Sequence, residues 1–243
     1  MDLKQYNNSG ITRDDAEVKS VSNTFIANVF SWMFLALSIT ALTAYIFSTS
    51  ESFLSTLFNP ETGGLTMLGW IVTLSPLGFV FLMSFRFQKL SASTLILLFI
   101  LFSVLMGMSL SFILLVYTGS SIALTFVVTA AMFGLMAFTG YTTKTDLTKF
   151  GSLMFMGLIG LIIASLANFF LNSGTLDYII SFVGVLVFTG LTAYDVQRLK
   201  RIGMGVEYGT ETTSKLTIMG ALRLYLDFIN LFLFLLRFLG NRR

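Results

Sequence analysis

Long apolar runs separated by short polar stretches dominate the chain. Seven of them, at about 25–47, 65–85, 93–117, 122–141, 151–171, 178–194 and 216–239, approach or exceed the span of a bilayer. A hydrocarbon core of about 30 Å needs about 20 apolar residues in a helix. Lipid offers no partners to backbone N–H and C=O groups, so such runs must be helical. The pattern predicts an all-α membrane protein with seven transmembrane helices in one integral domain, 25–243, behind a polar tail, 1–24. Pro76 and Gly78, in the middle of the second run, predict a kink there. Ser103, Gly107 and Ser111 recur every four residues in the third, a small-residue face on which helices approach closely.

The last run differs from the others. LTIMGALRLYLDFINLFLFLLRFLGNRR (216–243) carries Arg223, Asp227, Asn230 and Arg237, in steps of four, three and seven, near one face of a helix. An ionised group at the bilayer centre costs about 3 kcal/mol or more. The C-terminal helix is therefore expected at the centre, its polar face turned to other helices or a wet cavity, with the other six wrapped around it.

Composition agrees with this class and removes several functions. Hydrophobic residues make up 55% of the 243 and charged residues only 11%, against about 25% charged in a soluble domain. Many of the 26 Phe and 12 Met are expected as apolar filling and lipid contact. There is no Cys, which excludes disulfides, thiolate metal sites and cysteine catalysis, and no His, the usual general base and pH switch. No resident cofactor is expected. The tail lacks the early apolar core of a signal peptide.

The net charge of +3 does not point to nucleic acid, because the basic residues lie in loops. Arg86 and Lys89 follow the second run, Lys144 and Lys149 the fourth, and Arg198, Lys200, Arg201 and Lys215 the sixth; the loops after the first, third and fifth have none. The positive-inside rule then places the N-terminus and the even loops in the cytoplasm of a multi-pass protein of the cell (inner or plasma) membrane. The last helix starts on that side. Its length favours crossing, whereas Arg242 and Arg243 favour return.

Few ionisable residues fall inside or at the edge of spans: Arg86, Asp177, Asp195, Arg223, Asp227 and Arg237. In one reading Asp195, late in span 6, meets Asp227 in the last helix. Two carboxylates in a low dielectric cannot both ionise cheaply, so they share a proton, hold together with it and repel without it. Such a pair is a gate and, through its oxygens, a site for a hard cation such as Ca²⁺. Arg86 would neutralise one member. In the other reading Arg223 pairs with Asp227 one turn away and Asp195 with Arg198 at the interface, and the charges only fix helix register.

LTAYDVQRLK (191–200) and ALRLYLDFINLFLFLLRFLG (221–240) strongly resemble the Bax-inhibitor family, the transmembrane Bax-inhibitor-motif proteins, and KTDL (144–147) looks like the family's loop before span 5. The resemblance covers the whole chain in length and span count and suggests a bacterial member. It implies a seven-helix fold with a central C-terminal helix and a pH-sensitive calcium leak gated by two aspartates. Asp195 and Asp227 are their counterparts here, and Arg86 is the latch. Some bacterial relatives carry an acidic residue inside span 2, and this chain has none at 65–85.

Three functions follow as expectations. The first is a cation leak, with calcium ions, protons and the bilayer as partners. The second is a non-transporting regulator of a membrane protease or of a stress or cell-death pathway, contacting another membrane protein through its tail. The third, an intramembrane aspartyl protease, is disfavoured. Such enzymes carry Gly-x-Gly-Asp on the second helix, whereas Leu224, Tyr225 and Leu226 precede Asp227. The protein is not expected to be an enzyme.

Overall fold

The computed structural model describes residues 15–59 and 64–242. Most of the expected tail, 1–14, and the final Arg243 lie outside them. Among the described residues the chain forms α1 (Asp15–Thr49), α2 (Glu51–Leu57), α3 (Met67–Phe85), α4 (Ala92–Leu110), α5 (Ile113–Val116), α6 (Gly119–Thr142), α7 (Thr148–Leu171), α8 (Gly174–Gly205) and α9 (Glu211–Leu239). The seven expected spans are all present, with α4 and α5 together making the third. The protein is a multi-pass α-helical membrane protein.

Local sequence sets several helix starts. Thr66, Ser91, Thr118, Ser173 and Thr210 each cap a helix, the side-chain oxygen accepting from the backbone N–H three residues on. α7 ends at Asn172 in the left-handed conformation, φ 49°. Inside the spans, Ser103, Thr129 and Thr192 donate to the carbonyls of Phe99, Thr125 and Phe188 one turn back. Their hydroxyls are thereby satisfied without water.

Two expectations need revision. The helix of the first span begins at Asp15, so 15–24 continues it and is not a separate tail. The third span breaks at Ser111–Phe112, where Ser111 N–H reaches back only to Met108 O. α3 is assigned as helix throughout Met67–Phe85, with Pro76 inside it.

The centre is shared by two helices. In its most apolar stretch α9 has 67% of its residues buried and α8 61%, against 17% for α3 and 6% for α7. α9 packs on α1, α4, α6 and α8, whereas α3 packs on α4 and α2, and α7 on α8. α9 and α8 are thus the two most deeply buried helices. The two run antiparallel: Gly220 packs on Leu199, Arg223 pairs with Asp195, Phe234 packs on Phe188, and Phe238 on Tyr178. The direction of the last helix follows. It crosses fully, since Arg237 reaches Asp177 at the start of α8, and Asn241 accepts from Thr118 N–H between α5 and α6.

The small-residue face of α4 does pack closely, against α1. An added Cβ at Gly107 would lie 2.6 Å from Thr40 O, and Thr40 Oγ1 donates to Ser103 O at 2.9 Å. Gly107→Val is expected to destabilise the protein by about 1–3 kcal/mol, the usual cost of overpacking. Thermal unfolding in detergent measures it, and Gly119→Val, at a glycine with open space around it, serves as control.

Candidate functional site

Asp195 and Asp227 lie deep in the bundle, 4% and 5% exposed. Their helices bring them together for local reasons. Ala193, Val196 and Leu199 bury α8 around Asp195, and Leu224, Tyr225, Phe228 and Leu231 do the same for α9 around Asp227. The antiparallel register then places both carboxyls in the buried α8–α9 interface, with Arg223, one turn from Asp227, reaching Asp195. Arg237, one end of α9, lies ten residues from Asp227, about 15 Å along the axis, which puts Asp227 near mid-bilayer.

The pair is asymmetric. Asp195 Oδ1 accepts from Arg223 Nη1 at 2.9 Å. Asp227 Oδ2 is buried without a hydrogen-bond partner. A buried polar oxygen left unmatched is costly and uncommon, and calls for a proton, a water or an ion. Neither simple ion-pair arrangement holds. Arg223 reaches across to α8 instead of along its own helix to Asp227, and Arg198 is exposed.

The other sequence-selected residues divide. Arg223, expected in the polar stripe or paired with Asp227 one turn away, is the cation on Asp195. Its side chain is 43% exposed, so the charge is buried at the carboxylate end and open at the other. Arg237 pairs with Asp177 at 3.3 Å, at the far end of the α8–α9 interface. Asn230 Nδ2 donates to Leu226 O within its own helix, which leaves it satisfied locally. Arg86 is the C-cap of α3, exposed and without an ion pair to a described residue. Its helix is peripheral, so Arg86 is not brought to the aspartates in this arrangement.

Sequence reading missed two groups that position the pair. Tyr225, fully buried two residues before Asp227, donates to Thr40 Oγ1 at 2.7 Å; the single Thr40 proton is already committed to Ser103 O. This ties α9 to α1 and α4. Gln197, two residues after Asp195, accepts from Leu147 N–H at 2.9 Å and donates to Thr145 O at 2.7 Å. Arg201 donates to Gln197, Thr148 and Asp146. The KTDL loop is therefore clamped to the α8 segment that carries Asp195. Gly140 against Ala193 O and Gly151 against the Tyr194 ring bring α6 and α7 to the same segment. The only local signal was the cluster of polar residues at both places.

These contacts lie outside the apolar core, and Asp146 reports on them. Hydrogen bonds from Thr148 and then Arg201 hold its carboxyl well below the usual carboxylate range. A carboxylate with a lowered folded-state pKa contributes stability above its unfolded pKa, about 4, and loses it as pH falls further. The difference in thermal unfolding between wild type and Asp146→Asn is expected to be constant near neutrality and to shrink below about pH 4. A scan of both proteins across pH checks it.

Comparison with known proteins gives the lineage. Residues 22–243 match the family model described as inhibitor of apoptosis-promoting Bax1. The chain belongs to the Bax-inhibitor family. Among its relatives, inner membrane protein YbhL of Escherichia coli strain K12 is 48% identical over 221 residues, covering 90% of this chain and 92% of YbhL. An uncharacterised protein of Borreliella burgdorferi is 43% identical over 233 residues, covering 96% and 98%. Another, RP147 of Rickettsia prowazekii, is 44% identical over 219 residues, covering 90% of each. The Bax-inhibitor match includes both segments that carry the buried aspartates, and the shared lineage extends over nearly the whole chain.

Proposed function

We propose that this protein is a pH-sensitive cation leak of the inner membrane, with calcium as the preferred ion and the Asp195–Asp227 pair as its gate. The observation that carries this reading is the unmatched Asp227 oxygen set against a second buried carboxyl on another helix. With one proton between them the two side chains attract and hold α8 to α9. Without it two negative charges repel in a low dielectric, and Arg223 offsets only one. The interface loosens at mid-bilayer, where a cation gains most from carboxylate oxygens.

Calcium is cargo in this scheme. It takes six to eight oxygens in a resident site, and no group of three or more acidic side chains occurs among the described residues. Two carboxylates with waters suit passage better than tight binding. Arg86 is the proposed latch. α3 rests on α4 and α2, peripheral to the α8–α9 centre, so it can carry that guanidinium inward without unpacking α8 from α9. The basic even loops support a cytoplasmic N-terminus.

Calcium entry into proteoliposomes across a pH series around neutrality tests the proposal. Flux that rises with pH in pure protein is expected. Pure protein that passes no calcium or other cation at any pH would sink it and leave the protein as a non-transporting membrane regulator.

A further inference from the structure

A second feature lies on the lipid side of the bundle and is independent of the aspartate gate. Between α1, α4–α5, α6 and α9 there is a cavity of about 290 Å³. Leu37, Ala41, Leu114, Ile122, Phe126 and Phe232 are among its walls. Its one polar side chain buried at the base, Thr40, has its hydroxyl committed to Ser103 O and Tyr225. A water needs two to four polar partners, so this cavity suits hydrocarbon and not water or an ion. It opens toward the lipid beside Tyr45 and Phe126, which are 62% and 47% exposed.

A cation is tied to one wall of the cavity through Tyr117. Ile113, in its wall, accepts from Tyr117 N–H. Tyr117 bridges to Arg242, whose guanidinium lies 5.9 Å from the Tyr117 ring centroid. The C-terminus is held there, because Asn241 N–H donates to Ser121 Oγ and Asn241 O accepts from Thr118 N–H. Arg242 is exposed and has no carboxylate partner among the described residues.

We infer that this cavity holds one acyl chain of an anionic phospholipid whose phosphate pairs with Arg242. Within a membrane, apolar groups gain nothing from leaving water, so affinity comes from packing and from polar contacts at the rim. A cavity of this size, lined by aliphatic and aromatic side chains, favours a flexible chain over a helix of a second protein. The planar guanidinium, exposed and without a carboxylate partner among the described residues, matches a phosphate.

Native mass spectrometry of the full chain, released from detergent with equimolar phosphatidylglycerol and phosphatidylcholine of identical chains, tests this. Wild type is expected to keep one phosphatidylglycerol adduct in about fivefold preference, the factor given by one basic side chain near the headgroups. Arg242→Gln should bring the ratio to about one while an adduct remains. Ala41→Trp, at an exposed wall position, should remove both adducts, and Leu114→Trp gives the same readout from the opposite wall. Each variant is first matched to wild type in thermal unfolding without lipid. Equal retention of the two lipids by wild type, an unchanged preference in Arg242→Gln, or an undiminished adduct in both filled variants overturns the inference.

Discussion

Asp195→Asn combined with Asp227→Asn is expected to abolish the pH dependence of cation flux. In wild type, a gate set by one proton changes its open population by up to about tenfold per pH unit. Raising the pH removes the shared proton, so flux rises in that direction. Two amides have no proton to lose in this range, and the flux–pH curve becomes flat. Asp227→Asn alone separates charge from contact. Its amide can donate to Asp195 at every pH, as the shared proton did, and the Arg223–Asp195 pair is untouched. This variant is expected to stay folded, with low flux throughout. Calcium uptake by proteoliposomes reads both. A double variant with the wild-type curve would remove the pair from the mechanism.

Arg223→Gln is expected to carry the largest stability effect among the charged positions. It leaves the Asp195 carboxylate, 6% exposed, without a cation. Breaking a fully buried pair costs about 3–5 kcal/mol. Arg223 is itself 43% exposed and partly screened, which reduces the expected loss to about 1–3 kcal/mol. Arg86→Gln provides the contrast. Arg86 is exposed and without an ion pair among the described residues, so its removal should change stability by no more than about 0.5 kcal/mol. As a latch, its loss should instead raise flux at low pH. Thermal unfolding and flux measured on both variants separate the two roles. A large unfolding shift in Arg86→Gln, or none in Arg223→Gln, would contradict the observed pairing.

The expense of burying charge made Asp195 and Asp227 legible from the residue order alone, because few such residues occur in the spans and each needs a reason. The same rule could not choose their partners. Arg223 is four residues from Asp227 and could have paired along its own helix, yet its guanidinium crosses to Asp195. Gln197 and the loop at 145–147 are about fifty positions apart, and Tyr225 and Thr40 are 185 apart. Nothing local announces those bonds. The span ends were legible only in part. Lipid sets the minimum length of a helix but not where it stops in water, so α1 starts at Asp15 and α8 runs on to Gly205.

The sequence by itself determined how many times the chain crosses the membrane and which ionisable groups enter with it. Both depend on transfer from water to hydrocarbon, which acts on each segment separately. Only the tertiary structure decided that α8 shares the centre with α9, that the last helix crosses despite its terminal arginines, and that Arg223 holds Asp195. Those outcomes depend on which helix faces lie against each other and in what register, and a periodic apolar pattern fits several registers equally well until close packing selects one.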